Sequence, residues 1–471
     1  MNKQLRKLAV LILAILTGML LVGCSKETET VTDYEHTIVF YSTQGDALQK
    51  VTDNAIKAFQ DKYPGWKVYH TQVGGYDDVK KKIISDLGGK LQPDIAYCYA
   101  DHVAQYVETK KVVDLATLIN AGEATVKVKG DDGSYSKEIT VNLGYTEAEI
   151  ADFVPGYYKE GYASNYADYE ANGYSATSML TMPFVKSTEL LYYNNSALKE
   201  LGLEPAKTWE ELWDQAALIR KKWPTVTPLG YDSEANWFIT MCEQNGWGYT
   251  SAQKPHYLFK NADTQAWLEQ LADYYDKGYI TTQAESGAYT SNLFVKGVED
   301  NGIVYCIGSS GGASYQQTSK FEWGITRIPY SATEKEGVNN KAVISQGPSL
   351  VMFKTDRSSN VEEKEMMTFL FMKELLDPTF QAAFSIAAGY NPCRQSTYDV
   401  PTYQTHLDGD TATAKACVVA QTMTADFYTS PAFVGSSEAR TQVGNALVYA
   451  LTGEKDAAKA LADAYKNCGG Q

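Results

Sequence analysis

The chain has 471 residues, 44% of them apolar and 21% charged, with 57 acidic against 42 basic side chains and a net charge of −15. This is an ordinary globular composition with length for two or three domains, and its acidity argues against nucleic acid and against charge-driven binding to anionic lipid. The seven cysteines are scattered without a CxxC pair, unlike the short, dense spacing of a disulfide scaffold; they read as thiols buried like small hydrophobes, with an isolated pair such as Cys242 and Cys306 left open.

In chain order, Lys3, Arg6 and Lys7 form a basic head, residues 8–23 are almost continuously apolar, and a polar run begins after Cys24. That order describes a secretory signal peptide over 1–23, too short to span a bilayer as a helix of about 20 residues. Leu21-Val22-Gly23-Cys24 resembles a bacterial lipobox. The resemblance implies that Cys24 carries a lipid, that the mature chain of net charge about −18 is held extracytoplasmically at the cell membrane, and that 24–35 is a flexible tether. A lipid tether together with the absence of a disulfide framework points to a Gram-positive cell.

Residues 36–41 read as a strand. Leu48, Val51, Ala55 and Phe59 make a helical stripe over 46–62, ended by Pro64-Gly65. A strand over 66–71 follows, then a helix over 76–87 with Val79, Ile83 and Leu87 on one face, closed by Gly88-Gly89, and an apolar strand over 93–99. Strands alternating with helices imply a parallel sheet covered on both faces. Asp131-Asp132-Gly133 reads as a hairpin tip, and 157–174 as an irregular surface segment. Beyond Met182-Pro183 come a strand over 190–193, a short helix over 195–201, and a helix over 209–222 that Thr208 and Glu211 introduce as a capping box. Strands over 302–307 and 321–329 and amphipathic helices over 361–376 and 456–467 complete the reading.

Gly308-Ser309-Ser310-Gly311-Gly312 matches G-x-S-x-G after a strand, the form of an esterase elbow. The only histidine downstream of Ser310 is His406, with Asp399 seven residues before it, a cramped triad. The favoured reading is a glycine-rich turn that lets backbone donors approach a ligand. Five histidines, no HExxH, no Walker lysine loop and no dinucleotide fingerprint leave no metal site and no cofactor indicated. Thirty-four tyrosines and eight tryptophans suit a ligand with polar and apolar faces, such as a sugar.

The ordered set Ile38-Val39-Phe40-Tyr41, Phe59-Gln60-Asp61-Lys62-Tyr63-Pro64, Pro93-Asp94-Ile95, Met182-Pro183-Phe184, Leu191-Tyr192-Tyr193-Asn194 and Lys207-Thr208-Trp209-Glu210-Glu211-Leu212 resembles the maltose-binding-like extracellular solute-binding proteins of ABC importers. Phe294-Val295-Lys296-Gly297 before Gly302-Ile303-Val304-Tyr305, and Gly389-Tyr390-Asn391-Pro392 with Arg394, extend the likeness across nearly all of 36–467. Phe153-Val154-Pro155, Ser309-Ser310-Gly311, Tyr330 after Ile328-Pro329, and Gly347 with Ser349-Leu350 resemble the glycerol-3-phosphate-binding branch. That branch carries a phosphate-binding arginine in a late loop. The corresponding residues here, 430–435, hold no cation, and Arg440 falls on the following helix. A phosphate without a charge-assisted partner loses its strongest contact, so the expected ligand is a neutral sugar or polyol.

The resemblance implies an α/β, two-lobed, type II periplasmic-binding-protein-like fold with a hinge and an interlobe cleft. The lobes are expected at 36–150 plus 321–376 and at 151–320 plus 377–471. It implies a monomer that binds a small molecule without chemistry and hands it to permease subunits. The alternatives are a glycerol-phosphate or phosphodiester binder, a sensory binding lipoprotein, and a lipid-anchored hydrolase. Expected ligand contacts are Tyr41, Ser42, Gln44, Tyr76 and Asp101; Ser187 and Thr188; the turn residues Ser309, Ser310 and Gly311; Gly347, Tyr390 and Arg394; and Trp237 and Trp247 for stacking.

Overall fold

In a computed structural model of the chain, the structure describes residues 31–43 and 45–470. The signal peptide, Cys24, most of the tether and Gln44 lie outside the described residues.

Local sequence explains most elements. The Asp46–Lys62 helix buries Ala55 and Phe59 from its apolar stripe, and Phe59 meets Phe371 edge-on at 5.4 Å while Phe40 meets the same ring at 5.7 Å. The Tyr76–Gly89 helix runs through both glycines expected to end it; its left-handed cap falls on Lys90, φ 57°. At the Trp209–Lys222 helix, Thr208 Oγ1 accepts the Glu211 N–H at 3.2 Å, but the Glu211 carboxylate takes the Lys207 N–H at 2.8 Å, one residue short of a reciprocal box.

The strands form two five-stranded sheets. One runs in the order Lys67–Gln72, Thr37–Ser42, Ile95–Cys98, Ser349–Met352, Met182–Pro183; the other in the order Ile280–Thr282, Thr227–Tyr231, Ile303–Ser309, Glu189–Asn194, Trp323–Arg327. Each begins with three parallel strands and ends in antiparallel pairs. The purely parallel sheet expected from alternation is therefore mixed. The antiparallel members, Ser349–Met352 and Glu189–Asn194, follow a crossing from the other lobe, and such a strand is free of the direction rule for crossovers within one sheet.

Each sheet has its own core. Phe40, Phe59, Tyr97, Phe184 and Phe371 centre the first, and Tyr231, Trp237, Phe238, Trp267 and Leu447 the second. Burial is worth roughly 1.5–3 kcal/mol for each large side chain. The packing divides the chain differently from the expected lobes. Residues 151–186 and 377–393 pack in the first lobe, with Phe153, Tyr157, Phe384 and Cys393 in its core. Residues 321–343 pack in the second, with Ile328 and Val343 buried there. The expected surface segment 157–174 is likewise pinned down by buried Tyr157, Tyr158 and Tyr166. All six cysteines in the described residues, Cys242 and Cys306 among them, are free thiols, and five are buried.

Three chain segments cross between the lobes side by side. Ser187 exchanges two backbone hydrogen bonds with Gln346, 2.9 and 2.8 Å, and Val343–Ile344 pairs in parallel with Phe427–Tyr428. Glu160, from the first lobe, reaches all three: its carboxylate accepts from Lys186 Nζ at 2.5 Å, Ser345 Oγ at 2.8 Å and Thr429 Oγ1 at 3.1 Å. Lys186 is 4% exposed at its side chain, so removing its counter-ion leaves a buried charge unpaired. Glu160→Ala is expected to lower the unfolding free energy by about 3–5 kcal/mol, against about 1 kcal/mol for Thr429→Val. Guanidinium unfolding of the two variants checks this, and equal losses would show that the carboxylate is not the tie.

Candidate functional site

The carboxyl ends of the parallel strands in both sheets face a cleft between the lobes, where ligands of open α/β sheets bind. The cleft holds a main cavity of about 800 Å³ and, against the crossing strands, an inner chamber of about 100 Å³. Thr43 and Tyr97 reach the main cavity from the first sheet, and Asp232 and Ser309 from the second. Gln346 and Arg440 line both spaces and stand between them.

Of the expected contacts, Tyr76, Ser309, Gly311 and Tyr390 line the main cavity, and Asp101 and Gly347 the inner chamber. Tyr76 packs against Tyr99 at 4.3 Å, so one aromatic wall faces both spaces. Gly347 has φ +90°, and a Cβ there would stand 2.4 Å from the Val185 carbonyl; only glycine lets the crossing strands approach so closely. Gly311 sits beneath Tyr390, whose ring would meet a Cβ at 2.9 Å.

The remaining expected contacts lie elsewhere. Tyr41 is buried in the first lobe and donates to Asp86 at 2.9 Å; burial and that carboxylate push its hydroxyl up to about 12. Ser42 is fully buried against the His70 ring, 2.6 Å away. Ser187 and Thr188 belong to a crossing strand. Ser310 is buried, its N–H bonded to the Thr188 carbonyl at 2.8 Å and its hydroxyl accepting the Thr188 N–H at 3.3 Å; it is a hinge contact and not the thrust-out serine of an elbow. Arg394 pairs with Asp152 at 2.6 Å and covers Phe153 at 4.5 Å. Trp237 is wholly buried, stacked on Tyr231 at 4.7 Å, and Trp247 packs beside Trp267 at 6.1 Å. A tryptophan in a sequence announces apolar area without announcing direction, and both turn toward the second core.

The sequence reading missed Glu189, Asp232, Asn236 and Arg440, which line the main cavity. Asp232 follows a strand at its carboxyl end, the same position that marks the other loop residues of the cleft. Arg440 is the only arginine after Arg394, and the Ser436–Leu451 helix projects it into the cleft. The cation absent from the late loop is thus supplied one turn later. Asp232 accepts from the Thr290 N–H and hydroxyl, both at 2.6 Å, and burial still holds its carboxyl above the ordinary range. Glu189 is 1% exposed; burial pushes its carboxyl up to about 7, although Tyr231 donates to it at 2.5 Å and Asn236 at 2.8 Å. Among the described residues no group of three or more His, Cys, Asp or Glu could hold a metal ion.

A family model described as bacterial extracellular solute-binding protein matches residues 54–408. The sn-glycerol-3-phosphate-binding periplasmic protein UgpB of Escherichia coli K12 is 24% identical over 418 residues, 85% of this chain and 83% of that protein. Among solved structures, UgpB from Mycobacterium tuberculosis in complex with glycerophosphocholine superposes over 92% of this chain and 97% of its own, at 19% identity and a TM-score of 0.70. An ABC substrate-binding protein from Listeria monocytogenes in complex with cycloalternan covers 93% and 100% at 15% identity and a TM-score of 0.70. Maltose-bound MalE3 of T. maritima covers 92% and 99% at 16% identity and a TM-score of 0.68. These structures share the two-lobed fold.

Two measurements probe the site. Glu189 has a raised carboxyl in the folded state, so its contribution to stability is full below the ordinary value of 4.5 and is lost as pH rises toward about 7. The gap is worth roughly 3 kcal/mol at about 1.36 kcal/mol per pH unit. Glu189→Gln should remove that part of the slope of melting temperature between pH 4.5 and 7, and an unchanged slope would refute the assignment. Trp237→Ala should cost about 3–5 kcal/mol of stability through the cavity it leaves, where a cleft-stacking tryptophan would cost affinity with little stability.

Proposed function

We propose, from the premise that this chain belongs to the bacterial extracellular solute-binding proteins, that it is the binding component of an ABC importer and captures a carbohydrate or polyol-type solute in its cleft. The observation that carries this reading is the main cavity itself. Tyr76, Tyr97 and Tyr390 offer aromatic faces to ring or chain carbons, while Glu189, Asp232 and Arg440 supply acceptors and donors for hydroxyls. Closure about the crossing strands would bury the solute and present a new surface to the permease. The solute leaves unchanged. Through Cys24 the protein is tethered by lipid to the outer face of a cell membrane, of a Gram-positive cell in this reading, and acts there as a monomer.

Arg440 favours a second reading, a glycerol-phosphate or phosphodiester solute. Its guanidinium stands at the junction of the two spaces, where a phosphate would gain a charge-assisted pair. The curated relative and one of the matching structures carry glycerol-3-phosphate and glycerophosphocholine in their names.

A thermal-shift screen with maltose, maltotriose, glycerol, glycerol-3-phosphate and glycerophosphocholine separates the readings. A true ligand at 100 times its Kd adds roughly 2.7 kcal/mol of stability. Arg440→Met should weaken a phosphoester by about 1.5–3 kcal/mol, the worth of a hydrogen bond to a charged group, and a neutral sugar by less. Consumption of the bound compound by purified protein would overturn the importer reading.

A further inference from the structure

Asn236 occupies the first turn of the Glu234–Asn245 helix, 1% exposed, with its N–H held by the Ser233 hydroxyl at 3.3 Å. Its side-chain amide works at both ends. Nδ2 donates to Glu189 Oε1 at 2.8 Å, and Oδ1 accepts from the Arg440 guanidinium. The chemistry fixes that orientation: a carboxylate only accepts and a guanidinium only donates, so the flipped amide would set acceptor against acceptor and donor against donor. A buried carboxylate and a guanidinium thus stand one amide apart, both lining the main cavity, and among the described residues no ion pair joins them directly. In a low-dielectric cleft the two charges attract strongly, and collapse into a direct pair would consume the donors and acceptors that the cavity needs.

We infer that Asn236 is a positioning residue, a neutral spacer that keeps Glu189 and Arg440 from pairing so that both remain available to the solute. This rests on the importer reading for the identity of the cleft, and it deepens that reading: the solute presents an acceptor to Arg440 and a hydroxyl to Glu189 on neighbouring groups. The spacer also accounts for the electrostatics of the carboxyl. The groups facing Glu189 are Tyr231 from the Thr227–Tyr231 strand, Asp232 at that strand's end, Asn236, and Arg440 from the Ser436–Leu451 helix. Burial outweighs the guanidinium because the guanidinium is held off.

Asn236→Ala deletes the spacer and vacates its place. With the amide gone the guanidinium has room to close on Glu189, the carboxyl's pKa falls, and the slope of the apo protein's melting temperature between pH 4.5 and 7 flattens toward that of Glu189→Gln. A merely structural amide predicts the opposite sign: losing an N–H donor raises the carboxyl further and steepens the slope. An unchanged or steeper slope in Asn236→Ala therefore overturns the inference. In an Arg440→Gln background the same substitution should steepen the slope, because no partner is there to collapse; flattening there also overturns it. Should Asn236→Ala fail to fold, Asn236→Ser carries the same test. The slope needs no ligand, so it stands apart from the importer reading. If maltose and glycerophosphocholine both fail to bind the parent protein, that reading suffers while the spacer is still judged by its slope. Where either binds, Asn236→Ala should weaken it on the order of tenfold, the worth of one hydrogen bond to a charged group.

Discussion

One carboxylate, Glu160, ties the three crossing strands together, and the cleft exists because of where that tie falls. Lys186, Ser345 and Thr429 arrive from three separate stretches of chain and meet its two oxygens. Each crossing strand continues into a sheet or a helix that carries part of the site: Lys186 is followed by Glu189, Ser345 by Gln346 and Gly347, and Thr429 by the helix bearing Arg440. A buried ion pair is weak evidence for stability in itself, since desolvation offsets the attraction. Its use here is geometric. The carboxylate joins all three strands at one point, where they pass between the two halves of the cleft.

The helices and strands were largely legible because their signals are local. The 46–62 stripe, the Thr208 cap and the hairpin around Asp131-Asp132-Gly133 fold as their patterns indicate. Membership of a lobe was not legible. A run such as Met182-Pro183-Phe184 shows that it is buried but not in which sheet, and residues 151–186 belong to the first lobe because the chain stays there until it first crosses at Ser187. The site was legible where backbone geometry marks it, at Gly311 and Gly347 beside close approaches. It was illegible where long side chains decide it. Arg394 and Arg440 are alike as letters; one is spent on Asp152 and the other enters the cleft.

The acidity of the chain has little to do with the site. Surface carboxylates keep an exported protein soluble, whereas Glu189 and Asp232 in the cleft are buried or half-buried and hydrogen-bonded. Glu189 and Asp232 each receive two donors, and burial still raises both. A carboxylate held in that condition gains from any further donor, which is what a polyhydroxyl solute brings. The same low-dielectric setting makes the lone guanidinium discriminating, because an acceptor that fits it meets little competition from water.

Cavity wall and crossing strands are joined by a single residue. Ser309 and Gly311 line the main cavity, while Ser310 between them makes two hydrogen bonds to the backbone of Thr188, on the first crossing strand. Thr188 in turn donates its hydroxyl to the Ile344 carbonyl at 2.8 Å, on the second. A solute that drew Ser309 and Gly311 toward the first lobe would pull directly on two of the three crossing strands. Ser310 is fully buried and bonded at both its amide and its hydroxyl. Tyr390, lying over Gly311 and packed against the first lobe's core, gives that pull a surface to close upon. The wall of the cavity and two of the crossing strands are thereby hydrogen-bonded into one unit.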